Sequence, residues 1–322
     1  MADKSSTTSL ALIADIGGTN SRFALVEAQG QPQQVRTYED DDFKNLEGVV
    51  TRYLKDTEAA PTIGIFAVAA PITGPDIALT NRDWRFNVDA VAQQFGLSRL
   101  HVLNDFEAAA WALTRLEDSE MRAIGHFAAG DPPQGARVVL GPGTGLGVAA
   151  LLPAGDDWHA VPTEGGHISF GPATDDEDAI FARLRADGPV SAETILCGRG
   201  LARLYAAMQP DRAPLEQHAI VKAAQANDTE AGAVTDMFVR MLGRFAGDMA
   251  LLFKATGGVY VAGGVAAALG QRLDADIFRH AFEAHPPYPH LLEKIPTSLV
   301  TANEMGLLGC AAYAAMLARR KN

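Results

Sequence analysis

Apolar positions along this chain follow two rhythms, a period of two and a period of three to four, and the switches between them mark out its elements. Residues 10–15 and 22–27 are strand-like runs on either side of Gly-Gly-Thr-Asn, a sequence suited to reversing direction, so they predict a β-hairpin. From Phe43 the apolar residues Leu46, Val49, Val50, Tyr53 and Leu54 recur at helical steps. Residues 62–70 are again β-rich, 76–79 follow a Pro/Gly turn, and 88–95 read as a short helix. A short apolar strand at 100–103 precedes the strong helix formers Glu-Ala-Ala-Ala-Trp-Ala-Leu after Phe106, which leaves Asn104 and Asp105 at a strand-to-helix junction. At 138–152, Gly-Pro-Gly-Thr-Gly-Leu-Gly divides two apolar runs much as Gly-Gly-Thr-Asn divides the first pair, a weak internal duplication. Helices are expected at 175–187 and 229–254, the second apolar along one face, then a β run at 259–262 ending in Gly263 and Gly264. The last helix, 306–320, carries Arg319, Arg320 and Lys321 at its electronegative end. Hairpins alternating with helices in both halves predict an α/β protein of two similar domains with mixed sheets. No low-complexity linker separates the halves, so they are expected to meet across a packed hinge or cleft.

Composition narrows the function classes. A chain of 322 residues suggests two domains at about 150 residues each. Its 48% hydrophobic and 20% charged residues are ordinary for a folded protein. The net charge of -12 repels phosphate backbones and argues against nucleic-acid binding. No apolar stretch approaches the ~20 residues of a membrane helix, and residues 10–13 are the only apolar run before Asp15, so neither anchoring nor export is expected. Cys197 and Cys310 are too few for a disulfide framework or a cysteine-rich zinc site, which fits a reducing cytoplasm.

The chemistry gathers at glycine-bearing turns after strands: Asp-Ile-Gly-Gly-Thr-Asn at 15–20, the glycine-rich run at 141–147, and Ala-Gly-Gly at 262–264. Glycine permits positive φ and close backbone approach, so successive N–H groups can face phosphate oxygens; a tight hairpin turn explains any one of these equally well. Asp15, flanked by Leu12, Ile13 and Ile16, is costly to bury unless a cation or hydrogen-bond donors meet it, and a magnesium ion on nucleotide phosphates would do so. Neither a Walker A loop nor a Gly-x-Gly-x-x-Gly fingerprint is present, so the P-loop and dinucleotide readings lose their main support. Asp105 can serve as helix N-cap, as a base that accepts the proton of an attacking hydroxyl, or as both. Glu164, Gly165, Gly166 and His167 form a loop, and Glu193 follows Ser191 at a helix start. Each has an ordinary structural explanation, yet an Asn, an Asp, two Glu and a His together are a set of groups that could bind the vicinal hydroxyls of a neutral sugar.

These residues stand in stretches that occur in order along nearly the whole chain: ADIGGTNSRFAL, APITG with ALTN ending at Asn81, VLNDFEA, GPGTGLGVA, VPTEGGHISF, VSAETILCGRGL and VYVAGGV. The chain thereby resembles the bacterial glucokinases of the non-zinc type, in the hexokinase, Hsp70 and actin-like ATPase superfamily. The resemblance implies two ribonuclease H-like (actin-like ATPase) domains, 1–115 with 303–322 and 116–302, with mixed sheets and an interdomain cleft. It implies ATP-dependent phosphorylation of glucose at the 6-hydroxyl with Mg2+, entry of the product into glycolysis, and a cytoplasmic homodimer. By position, Asp105 matches the catalytic base and, with Asn104, Glu164, His167 and Glu193, the sugar site. Ala14, Asp15, Ile16, Gly17, Gly18 and Thr19 match the first phosphate turn, with Asp15 near the metal. Gly143, Thr144 and Gly145 match the second phosphate turn, and Gly263 and Gly264 the turn near adenosine. Departures are mild: Thr163 stands where some relatives have Gly, and Ile-Ser-Phe follows His167 in place of a more acidic sequence. A kinase of another hexose or of an N-acetylated amino sugar, and a sugar sensor without turnover, are the alternatives. The zinc-binding cysteine cluster and the helix-turn-helix of the related repressors are absent from the sequence.

Overall fold

The computed structural model describes residues 10–27, 30–80, 82–126 and 134–320, so Asn81 and Lys321 lie outside the described residues. The chain divides into two compact units, Met1–Leu116 with Asn303–Asn322, and Glu117–Ala302. In the first unit, β1 (Ala11–Ile16) turns back into β2 (Asn20–Val26), and β3 (Gln33–Glu39) continues the meander. Helix α1 (Leu46–Thr57) starts where Asn45 accepts the Gly48 N–H at 3.1 Å, and it ends at Glu58 in the left-handed region. The chain then enters β4 (Ile63–Val68), parallel to β1. A small antiparallel pair, β5 (Asp76–Ala78) and β6 (Arg85–Asn87), precedes α2 (Val88–Gln94). Finally β7 (Arg99–Asn104), parallel to β4, runs directly into α3 (Asp105–Ala112).

The second unit repeats the plan. After β8 (Met121–Ala123), β9 (Arg137–Pro142), β10 (Leu146–Ala154) and β11 (Asp157–Thr163) form an antiparallel meander. Helices α4 (Asp175–Leu184), α5 (Ala192–Ile195), α6 (Gly198–Met208), α7 (Gln217–Gln225) and α8 (Thr229–Phe253) follow. Then β12 (Val259–Val261) adds parallel to β9, with α9 (Gly264–Leu269), α10 (Ala275–Glu283) and α11 (Pro289–Leu292) leading to β13 (Thr297–Val300). The strand orders β3-β2-β1-β4-β7 and β11-β10-β9-β12-β13 correspond place for place, and β8 extends the second sheet by one antiparallel strand. The duplication suggested by the glycine turns is thus one of topology, and both sheets are mixed as expected.

Burial explains the pattern. Leu12, Ala14 and Ile16 pack in one cluster with Phe23, Val49, Tyr53 and Phe66, while Ile13 between them is equally buried, so β1 is covered on both faces. Each such Leu, Ile or Phe stabilises the fold by roughly 1.5–3 kcal/mol. The C-terminal helix α12 (Met305–Arg319) returns to the first unit and packs on α3 and β1, where the Cys310 thiol donates to the Ala14 carbonyl at 3.5 Å. The second core centres on Phe181, Phe238, Phe245, Phe278 and Phe282. The predicted 175–187 helix is shorter than expected: α4 stops at Leu184, a 3-10 turn covers Arg185–Asp187, and Gly188 breaks it at φ 130°. No helix among the described residues is long and apolar enough to cross a membrane. Since β1, β4 and β7 run parallel, Ile16, Val68 and Asn104 end on one edge of their sheet. The ends of β9 and β12 share an edge in the same way, the place where α/β sheets present ligand-binding loops.

Candidate functional site

At its sheet edge the first unit brings together Asp15, the turn at 17–19, Asn104 and Asp105. Asp15 pairs in register with Arg22, whose guanidinium stands 3.7 Å from its carboxylate. Burial raises the Asp15 pKa, Arg22 opposes that rise, and Glu304 reinforces it. Ala14 and Ile16 are wholly buried, with neighbouring strands on both sides, so the part of this motif open to a ligand is Asp15 and the turn. Within the turn Gly17 donates its N–H to the Asn20 carbonyl at 3.1 Å, and Thr19 accepts from the Asp40 N–H at 2.9 Å. Arg82 braces the turn from outside, donating to the carbonyls of Gly18 at 3.4 Å and Asp40 at 3.1 Å and pairing with Asp41.

Asn104 and Asp105 divide the work that the sequence left shared. Asn104 is the N-cap of α3: its Oδ1 accepts from the N–H groups of Phe106 at 2.9 Å and Glu107 at 3.4 Å, and its Nδ2 donates to Ala70 O at 3.1 Å. Asp105 is the first helical residue, so it is relieved of the capping role; its Oδ1 accepts the adjacent Phe106 N–H at 3.0 Å, and its carboxylate also takes a hydrogen bond from the Asn104 side chain. Burial pushes its pKa up to about 6, the Phe106 N–H pulls the other way, and the Asp15 charge adds to the rise. Two residues on, burial lifts the Glu107 pKa to about 7.

In the second unit Glu164, His167 and Glu193 converge. His167 Nε2 lies 3.9 Å from Glu164 Oε2 and 4.0 Å from Glu193 Oε2. Their backbones are laced together: Ala192 N–H donates to Ile168 O, Phe170 N–H donates to Val190 O, and Ser169 bridges to Ser191. Ser191 and Thr194 form a capping box that starts α5 and presents Glu193 in its first turn. Glu193 Oε2 accepts the Leu146 N–H at 2.8 Å, which ties this cluster to the 143–145 turn. There Gly143 donates to Gly145 O at 2.8 Å and accepts from Gly198 N–H at 2.9 Å, while Thr144 is exposed.

The glycines of these turns differ in which of glycine's two properties the structure uses. Of those singled out at 17, 18, 143, 145, 263 and 264, only Gly263 has a positive φ, at 90°. Gly145 supplies room instead, since a Cβ there would stand 2.5 Å from Glu193 Oε2. Gly263 also lies against Pro142 O, so the turns after β9 and β12 adjoin. The residues unforeseen from sequence are Arg22, Arg82, Glu107 and Glu304. Arg22 could have been found by counting outward from the hairpin turn, because a two-residue-period ladder puts it opposite Asp15.

A model of the family described as Glucokinase matches residues 12–317. The chain belongs to the glucokinase family. It is 40% identical over 318 residues to the glucokinase of Chelativorans sp. strain BNC1, a match that covers 96% of this chain and 92% of that one. To the bifunctional protein glk of Burkholderia orbicola it is 39% identical over 312 residues, 94% of this chain but 48% of the relative, so the chain spans about half the length of that protein. The crystal structure of a glucokinase from an Antarctic psychrotroph superposes with a TM-score of 0.86 at 32% identity, covering 95% of this chain and 98% of that one. The fold is accordingly that of the two-domain actin-like ATPases among which the glucokinases fall.

Chemically, the first unit offers a carboxylate with a pKa of about 6 beside a half-buried glycine turn. The second offers two carboxylates and an imidazole within reach of one small polyhydroxy ligand. A divalent cation suits the acidic side of this set: the Glu304 charge raises the proton affinity of Asp15 and the Asp15 charge that of Asp105, with Arg22 as the cation opposing the rise at Asp15. Among the described residues no group of three or more His, Cys, Asp or Glu could hold a metal by itself, so such an ion would draw most of its ligands from phosphate oxygens and water.

Proposed function

We propose that this chain transfers the γ-phosphoryl group of ATP to the 6-hydroxyl of D-glucose, giving glucose 6-phosphate and ADP. The observation that carries the reading is Asp105: a helix-start carboxylate freed from capping by Asn104 and raised to about pKa 6 by burial is suited to take a hydroxyl proton at neutral pH. As the sugar oxygen attacks phosphorus, the O6–H proton passes to Asp105, the O6–P bond forms and the bond to the β,γ-bridging oxygen breaks. Glu164, His167, the uncommitted oxygen of Glu193 and the side chain of Asn104 bind the ring hydroxyls. The turns at 17–19, 143–145 and 263–264 hold the nucleotide. Asp15 would hold Mg2+ together with the phosphates, and the ion when bound neutralises charge on the transferring group. Membership of the family supports the wider reading, a cytoplasmic homodimer whose product enters glycolysis.

The decisive assay is steady-state ADP formation from Mg-ATP with and without glucose, followed by chemical identification of the sugar product. ADP release that depends on glucose and yields glucose 6-phosphate is expected. A site that pairs its own groups with particular hydroxyls loses partners when one is inverted, so galactose should be a much poorer substrate. Higher kcat/KM on another hexose or an N-acetylated amino sugar would reassign the substrate; glucose binding without turnover would make the chain a sensor.

A further inference from the structure

Behind the loop that carries Glu164 and His167, the second unit holds an ion pair, its carboxylate buried and its guanidinium half-buried, that the chemistry above does not use. Glu177, in the first turn of α4, is 1% exposed, and its Oε2 accepts from Ala173 N–H at 2.9 Å and from Arg244 Nη2 at 3.0 Å. Arg244, on α8, gives its other terminal nitrogen to Gly171 O at 2.9 Å and lays its guanidinium over the Phe170 ring, 4.2 Å from the centroid. Arg240, one helical turn earlier, reaches Glu177 Oε1 at 3.6 Å and pairs with Asp176 at 2.6 Å. Phe170 in turn sits against Phe181 and Phe245.

Burying the Glu177 carboxylate costs several kcal/mol unless its oxygens are matched, and well-packed apolar residues often stabilise a core as well. This pair therefore needs a reason beyond stability. Its contacts supply one, because Phe170, Gly171 and Ala173 all belong to the segment that follows His167, whose backbone is also laced to Val190 and Ala192 beside Glu193. The planar fork of arginine suits the task, since it reaches a carbonyl and a carboxylate at once while stacking on a ring, and lysine can do only part of this.

We propose that Arg244 and Glu177 are positioning residues that hold the 164–173 loop in register with Glu193 and so set affinity for the sugar. The proposal rests on the reading of Glu164, His167 and Glu193 as the hydroxyl-binding groups. The test is a kinetic comparison of wild type with Arg244→Lys, Arg244→Gln and Glu177→Gln, each assayed for KM of glucose and of ATP. Misplacement of binding groups by about 1 Å costs up to about 100-fold, so kcat/KM for glucose should fall 10- to 100-fold, mainly through KM. KM for ATP should stay within about twofold and Arg244→Lys should retain more activity than Arg244→Gln, the split expected when only the sugar loop is misplaced. Phe170→Leu, which removes only the ring beneath the guanidinium, gives the same split in milder form and serves if the charge variants fail to fold. Equal losses toward both substrates, or an unchanged KM for glucose in folded variants, would overturn the assignment. A wild-type protein that does not phosphorylate glucose in the same assay would instead defeat the underlying reading, and the positioning role with it.

Discussion

A carboxyl group with a pKa of about 6 is ionised at pH 7.5 and still basic enough to accept a proton from a reacting hydroxyl, which is the balance Asp105 strikes by burial. Its kcat/KM for glucose should therefore rise with pH through about 6 and level off above, as a pH–rate profile would reveal. Asp105→Asn should lower kcat by about 10²- to 10⁴-fold while glucose binding, measured by calorimetry, survives. Stability should move the other way. A folded pKa above the unfolded value favours the fold fully below about pH 3.8, and that contribution is lost as pH rises through about 6. At pH 7.5 the asparagine variant should thus melt no lower than wild type, and its melting temperature should lack the part of the gain on acidification that Asp105 supplies. From sequence Asp105 reads as cap, base or both; the assignment turns on which side chain points back over the helix start, and strand β7 decides that by delivering Asn104 as the last residue before the helix.

At the scale of elements, helix α3 depends on that cap. Asn104→Ala removes the acceptor for Phe106 and Glu107 and the donor to Ala70, so it should cost about 1 kcal/mol of stability and also displace Asp105, visible as a lower denaturant midpoint together with reduced kcat. Asn104→Asp, which keeps the acceptor, should recover most of the stability. Helices with a clear apolar stripe, such as α1 and α8, were legible because Leu46, Val49, Val50 and Tyr53 on α1, or Phe238, Leu242 and Phe245 on α8, follow the helical period. Strand β3 was not: Gln-Gln-Val-Arg-Thr-Tyr-Glu lies exposed at the sheet edge and has no buried face to impose alternation. Strand β13 is only Thr297–Val300, too short for a period to emerge, and is held in the sheet by β12 and β8 on either side. The glycine turns were found by composition, but their reasons were not, since Gly145 answers to Glu193, 48 positions away in number, through the carboxylate that also bonds Leu146.

For the molecule as a whole, a ligand that binds only the folded state stabilises it by mass action, about 2.7 kcal/mol at a free concentration 100 times Kd. Glucose should raise the melting temperature in proportion to the logarithm of its concentration, galactose at equal concentration should raise it far less, and a scanning fluorimetry titration separates the two. Glucose indifference would remove the hydroxyl-binding cluster from the reading. The sequence by itself determined the element types in the strongly periodic stretches, the repeated hairpin-and-helix plan and the order of motifs by which the family is recognised, because periodicity and turn chemistry are dictated by near neighbours along the chain. Only the tertiary structure decided how side chains are allocated: Arg22 beside Asp15, Asn104 rather than Asp105 as the cap, Glu193 on the Leu146 N–H, and Arg244 on Glu177 across 67 positions. Those choices depend on burial and on partners brought from distant segments, where the cost of an unmatched polar group selects one arrangement from several that local sequence allows.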